Sequence, residues 1–344
     1  MVRSVLLRFL DKAFSFRKKS RNDKEDVYDV IQVVATMEDN MDILKVTRYA
    51  PLHAHQLEGA ETATVLGKDG EVVAKQTLIK YSANQAYCSL TEISPVIAGK
   101  YVKVSEVDDD RTKLKLVTIE KERENRRLLP IVVQFHTVPE ARPIEAHMTD
   151  RLAEETLGRN NLELKKNVTF DSFTYSDTWR DEAGFIVTDR NRYEYVTFDV
   201  SKLLQSLSVS SDVKISEYLA DDLDGTCDFD NTVTGFNREK VIEFLSQNCT
   251  VLIAKNGNAV EGFLAGKLDK LCCLYAESEE IAHTLLKEYI NKKKLIQINF
   301  FTKADTWQCE PSSKTPVYRS HTRAVPGSIK WSKIYALNMG MHIV

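Results

Sequence analysis

The sequence predicts a mixed α/β protein made of two similarly ordered halves, on three observations. β-branched and aromatic runs alternate with a few amphipathic stretches, the order strand, hairpin, strand, helix, strand is written twice, and a Ser-rich stretch at 201–212 separates the two copies. At 344 residues the chain can give each half its own core. The expected division is a basic arm over 1–24, a first domain over 25–200, a linker over 201–212 and a second domain over 213–344.

The elements follow in chain order. "VYDVIQVVATM" from Val27 reads as a strand, and 62–95 as a meander with a hairpin turn at Asp69 and Gly70 and a weaker one at Ser82, Ala83 and Asn84. The charged stretch 106–128 mixes both signs and reads as a solvated loop and helix face. Strand-like 130–139 lies between prolines, and "MTDRLAEETLG" predicts a helix capped at Thr149 or Asp150 and stopped at Gly158. Residues 167–200 give a strand, a short helix and two strands. In the second half, a hairpin turning at Asn256 and Gly257 precedes the short strand "CCLYA". The helix "SEEIAHTLLKEYINKKK" buries Ile281, Leu285, Leu286 and Tyr289; "LIQINFF" is the next strand, and 317–344 supplies two more.

Composition excludes several classes of function. Lys+Arg 47 against Asp+Glu 50 leaves no general positive field to hold a nucleic acid. No run reaches the ~18 apolar residues of a membrane span, so a soluble chain is expected. The six cysteines form no CxxC pair, which argues against a zinc ribbon and for a reducing compartment. Residues 1–21 carry seven basic side chains, from Arg3 to Arg21, against Asp11 alone, with apolar residues at helical spacing. They read as a solvated arm in a cytoplasmic protein, or as a mitochondrial presequence or membrane-surface helix.

Four segments carry a family resemblance: "DFDNTVTGFNREKVIEFL", "AKNGNAVEGFLAGKL", "LYAESEEIAHTLL" and the closing "IYALNMGMHIV". Together they resemble the C-terminal domain of the YitH-type branch of the GNAT N-acetyltransferase superfamily, over 213–344. In the first half, "VLGKDGEVVAKQTLIKY" is similar to that superfamily's second and third strands, and "DTWRDEAGFIVTDRNRYEYV" to its closing element, with Trp179 in the aromatic slot and Gly184 and Phe185 intact. The resemblance implies tandem GNAT-like domains, the first degenerate. It further implies a sheet splayed between its fourth and fifth strands, the pantetheine arm of acetyl-CoA or another acyl-CoA in the gap, and the diphosphate on backbone N–H groups of the following helix.

The sequence departs from that pattern. The first half keeps Ser94, Pro95, Gly99 and Lys100 but has neither the Arg nor the second Gly of the phosphate loop, so no CoA is expected there. The second half has no glycine in the loop; Ser278 caps the helix and Glu279 and Glu280 fill its first turn, good helix chemistry and poor anion chemistry. Cofactor contacts, if made, fall on Leu274, Tyr275, Ala276, Ser278, Glu279, Glu280, Ile281 and Ala282, with both carboxylates turned outward.

Acyl transfer to a small amine needs oxyanion donors, expected from the backbone near Leu274 and Tyr275, and an acid for the leaving thiolate, with Tyr318 and Tyr335 as candidates. Tyr275 is a further catalytic candidate if it faces the acceptor pocket, while an aromatic packed on the core sheet is the more usual reading for a strand tyrosine. Asp230 and Arg238 read either as groups that orient the substrate or as an ion pair bracing the turn at Gly235. Asp221, Asp222, Asp224 and Asp228 lack the calcium-loop spacing and read as a solvated loop. His53 and His55, two apart in a presumed strand, have no evident third ligand, so no metal is expected. Cys272 and Cys273 should point to opposite faces of their strand. The rival to the acyltransferase is a catalytically inactive tandem scaffold binding a metabolite or a protein. The discriminating feature is whether the slot beside "LIQINFF" is open or plugged by side chains.

Overall fold

The computed structural model describes residues 184–337 throughout and, before them, 26–33, 54–67, 70–89, 92–94, 101–103, 113–117, 141–157 and 166–173, with Leu52, Ile97 and Arg180 between them. The basic arm, the strand-like stretch 130–139, His53 and Trp179 lie outside the described residues.

Strands β1 (Asp26–Val33), β2 (Glu61–Leu66), β3 (Val72–Ser82), β4 (Gln85–Cys88), β5 (Glu92–Ile93), β6 (Tyr101–Lys103), β7 (Lys113–Val117) and β8 (Ala141–Pro143) precede helix α1 (Ile144–Leu157). After it come β9 (Asn167–Ser172), β10 (Val187–Thr188), β11 (Tyr193–Asp199), α2 (Val200–Ser206) and β12 (Lys214–Glu217). Helices α3 (Leu223–Thr234) and α4 (Glu239–Asn248) lead into β13 (Thr250–Asn256), β14 (Ala259–Lys267), β15 (Lys270–Ala276), α5 (Glu279–Lys293), β16 (Gln297–Lys303), β17 (Ser313–His321) and β18 (Ile334–Ala336).

The predicted repeat is present in the topology. In the first sheet β2, β3 and β4 are antiparallel neighbours, α1 crosses their face, and β9 returns parallel to β4. In the second, β13, β14 and β15 are antiparallel, α5 crosses, and β16 returns parallel to β15. The chain is a mixed α/β protein with one architectural unit written twice.

The stretch expected to be a linker does not separate the sheets. β11, which precedes it, lies in the second sheet between β16 and β17. β17 runs through both: its first residues pair with β11, and Tyr318 to His321 pair with Ser172 to Thr169 of β9. Three cores result. One under α1 holds Leu78, Val168, Met148 and Leu152; one under α5 holds Leu264, Leu274, Leu285 and Phe300; the third joins the halves, with Tyr87 and Ile79 beside Phe229, Phe263 and Tyr275.

Local sequence explains several element ends in the second half. Ser278, in extended backbone, accepts from the Ile281 N–H, and Lys294 closes α5 at φ 53°. The predicted buried face of α5, Ile281, Leu285, Leu286 and Tyr289, is buried. Gly257 turns the β13–β14 hairpin at φ 60°, and Gly235 ends α3 at φ 75°.

Five expectations are corrected. α1 begins at Ile144, not at Thr149 or Asp150; Thr149 is interior, and its hydroxyl bonds both Gln76 Oε1 at 3.0 Å and Glu145 O at 2.9 Å. The charged stretch after 106 contains strand β7, held between β1 and β6. His55 lies in a 3-10 turn, Ala54–Gln56, rather than a strand. Asp221, Asp222, Asp224 and Asp228 lie on a 3-10 turn and α3, not in a loop, and Asp222 is ion-paired to Lys255. The start of the Ser-rich stretch is helical as α2, capped by Asp199. No helix of the described residues is long and apolar enough to cross a membrane.

Candidate functional site

β15 and β16 touch as parallel neighbours at Lys270 and Asn299 and then part. Asn299 secures the junction, donating from its backbone N–H to Asp269 O and from Nδ2 to Asp269 Oδ2, both at 2.8 Å. Beyond it the gap widens, as a splayed sheet requires, and the chain itself fills it. β18 lies antiparallel along the free edge of β15, with Leu274 opposite Ala336 and Tyr275 opposite Ile334. On its other side Leu337 bridges Phe301 of β16, its N–H donating to Phe301 O at 2.9 Å. Thr302 Oγ1 and Trp307 Nε1 both donate to Tyr335 O, at 2.9 and 3.2 Å. Ile334, Ala336 and Leu337 are buried. The edge of β15 expected to offer oxyanion donors is thus laddered to another strand.

The start of α5 is likewise engaged. Ser278 Oγ accepts from the Ile281 N–H, and the Ala282 N–H donates to Ser278 O at 3.1 Å. Glu280 is exposed to solvent, and hydrogen bonds from its own backbone N–H and from Ser278 hold its carboxyl below the ordinary range.

The three candidate tyrosines fall in different settings. Tyr275 is fully buried in the core that joins the halves; burial, above all, raises its phenol well beyond the ordinary value. Its ring lies edge-on to Phe263, and its hydroxyl is 3.4 Å from Arg238 Nη2. Tyr335 belongs to β18 and packs in the opposite core under α5, where burial, then Glu279 and Glu280, push its phenol up to about 12. Tyr318 is partly exposed on β17, opposite Ser172.

Asp230 and Arg238 meet. Arg238 Nε donates to Asp230 Oδ2 at 2.9 Å and Nη2 to Oδ1 at 2.5 Å, with both side chains out of solvent and the guanidinium 5.7 Å from the Tyr275 ring centre. This bidentate pair ties α3 to the start of α4 and to β15.

Sequence reading missed a second such pair. Arg319 on β17 donates to both oxygens of Asp171 on β9, at 2.8 and 2.9 Å, while Tyr87 Oη donates to Asp171 Oδ2 at 2.7 Å. The guanidinium lies among the rings of Tyr87, Tyr193 and Trp331. Beside it, His321 links Thr169 Oγ1, 2.9 Å from Nδ1, to Asp189 Oδ2, 3.2 Å from Nε2, all buried. The partners are separated by 148, 152 and 132 residues, so no local spacing announced them. The described residues hold no group of three or more His, Cys, Asp or Glu suited to a metal.

Residues 45–187 match a family model described as a domain of unknown function, DUF7596. No curated protein matches the chain in sequence. Among solved structures, a "Putative Acetyltransferase" from Pyrococcus horikoshii is similar at a TM-score of 0.51 and 13% identity, over 81% of this chain and 79% of that one. A tandem GNAT protein from the clavulanic acid biosynthesis pathway aligns at a TM-score of 0.41 and 8% identity, over 78% and 84% of the two chains. A GCN5-related N-acetyltransferase from Sphaerobacter thermophilus aligns at 0.41 and 8%, over 78% and 83%. The likeness to the Pyrococcus structure, together with the splayed parallel pair, shows a GNAT-type fold.

Proposed function

We propose that this chain is a catalytically silent tandem GNAT-like protein that acts as a binding scaffold, not an acyltransferase. The observation that carries the proposal is β18, seated between β15 and β16. An acyl-CoA would need that gap for its pantetheine arm and the α5 donors for its diphosphate. The first is filled by backbone and buried side chains, and of the second the Ile281 and Ala282 N–H groups already donate to Ser278. The residues present therefore do not fit the cofactor.

The same reading treats 213–344 as related to the YitH-type branch and the first half as a degenerate GNAT-like domain. Support for the latter is that β4 and β9 pair in parallel from Gln85 and Asn167 through Cys88 and Phe170, without a splay. Tyr275, Tyr335, Asp230 and Arg238 become structural groups in this proposal, and neither an acyl group nor an acceptor amine is assigned.

The test is titration of the full chain with acetyl-CoA and longer acyl-CoAs, by calorimetry and by thermal unfolding. The expected result is no saturable heat and no rise in melting temperature. A ligand at 100 times its dissociation constant stabilises by about 2.7 kcal/mol. A saturable shift of that order would restore the acyltransferase reading and show that β18 leaves its seat.

A further inference from the structure

Cys249 and Cys272 are both free thiols whose sulfur atoms stand 3.5 Å apart. Strict alternation would send Cys272 and Cys273 to opposite faces of β15, which was the expectation from sequence. The structure corrects it through a bulge. Cys273 lies opposite Ala265 and Leu271 opposite Gly266, so Cys272 is an extra residue with no partner of its own on β14. Both cysteines consequently face the core that joins the halves. Cys249 arrives there from α4, as the residue that closes the helix, its N–H donating to Leu245 O at 2.8 Å.

The two thiols differ in access. Cys272 is fully buried and Cys249 only partly, so a reagent in solution reaches the pair through Cys249. The contact with Cys249, then burial, holds the Cys272 thiol well above its ordinary value, which keeps it protonated until a partner sulfur is activated.

We propose that Cys249 and Cys272 form a disulfide on exposure to a two-electron oxidant of the peroxide class. The Cys249 sulfur, as thiolate, attacks one oxygen of hydrogen peroxide. The O–O bond breaks, leaving Cys249 as a sulfenic acid, and the departing hydroxide takes a proton to become water. The Cys272 sulfur then attacks the Cys249 sulfur, the S–O bond breaks, and hydroxide leaves with the Cys272 proton as a second water. Two thiols and one peroxide give one disulfide and two waters. The sulfurs must close to about 2.05 Å. The bond would clamp the end of α4 to β15, the strand whose other edge holds β18.

The test treats the folded full chain with stoichiometric hydrogen peroxide, blocks the remaining thiols under denaturing conditions, and maps peptides without reduction. Two of the six thiols should disappear, the peptides containing Cys249 and Cys272 should be linked, and dithiothreitol should reverse the link. Cys249→Ser, at a partly exposed position, should fold and lose the linkage, while Cys309→Ser should keep it. Six titratable thiols after treatment, over-oxidation of Cys249 without a link, or a link through other cysteines would each overturn the proposal.

Discussion

Replacing Arg238 by Met separates a structural brace from a substrate-binding group. The methionine keeps most of the side chain's length and removes the charge, leaving the Asp230 carboxylate, 1% exposed, without its two donors. Removing one partner of a buried ion pair costs about 3–5 kcal/mol, because the other charge stays buried and unpaired. At roughly 2 °C per kcal/mol for a large domain, that is a fall of about 6–10 °C in melting temperature. Adding Asp230→Leu removes the orphaned charge, so the double variant should recover most of the loss. The coupling between the two sites should then be at least about 2 kcal/mol in a double-mutant cycle. Urea unfolding followed by tryptophan fluorescence measures all four proteins, and an unchanged m-value would show that compactness is preserved. If Arg238→Met stayed within about 1 kcal/mol of the parent, the brace would be refuted and an open, substrate-facing arginine would be the better account.

Two further outcomes follow from the core under α5. Gly266→Ala would place a Cβ 2.6 Å from the Tyr289 ring, whose hydroxyl is anchored to Leu268 O, so a loss of about 1–3 kcal/mol is expected in chemical denaturation, partly recovered by Tyr289→Leu. His283 is buried against Trp307 and accepts from the Ser208 N–H, and desolvation lowers its pKa below the ordinary histidine value. A depressed histidine stabilises the fold above the unfolded-state pKa, and the contribution is lost as pH falls from there toward the folded one. Stability should therefore drop below about pH 6.5 in the parent and less so in His283→Asn, as read from denaturation midpoints across pH.

The elements that sequence reading placed well are those whose signals are local. Ser278 and the apolar stripe of α5 specify a helix within one turn of its observed start, and Asn256 with Gly257 specifies a hairpin through a positive φ. The elements it misplaced are decided by distant partners. Thr149 looks like a cap because Ser and Thr are good caps, yet its hydroxyl is satisfied by Gln76 on β3 and the helix runs past it. The bulge at Cys272 depends on register with β14, which a strand's own letters do not fix. The candidate site divided along the same line. Asp230 and Arg238, eight residues apart, were readable as a pair, whereas the separation of 148 positions from Asp171 to Arg319 concealed theirs. The seating of β18 was out of reach for the same reason: "IYALNMGMHIV" announces a strand but not which edge it takes.

The passage of β17 through both sheets has a consequence for how the chain is made. The edge of β9 is completed by Tyr318 to His321, and Arg319 is synthesised 148 residues after its partner Asp171. Until then the first sheet is an open template with unpaired N–H and C=O groups along β9, and Asp171 waits without its arginine. Sequential folding of the first half ahead of the second is therefore closed to this chain. The first sheet reaches its final form only when β17 pairs with it, so the two sheets are completed together.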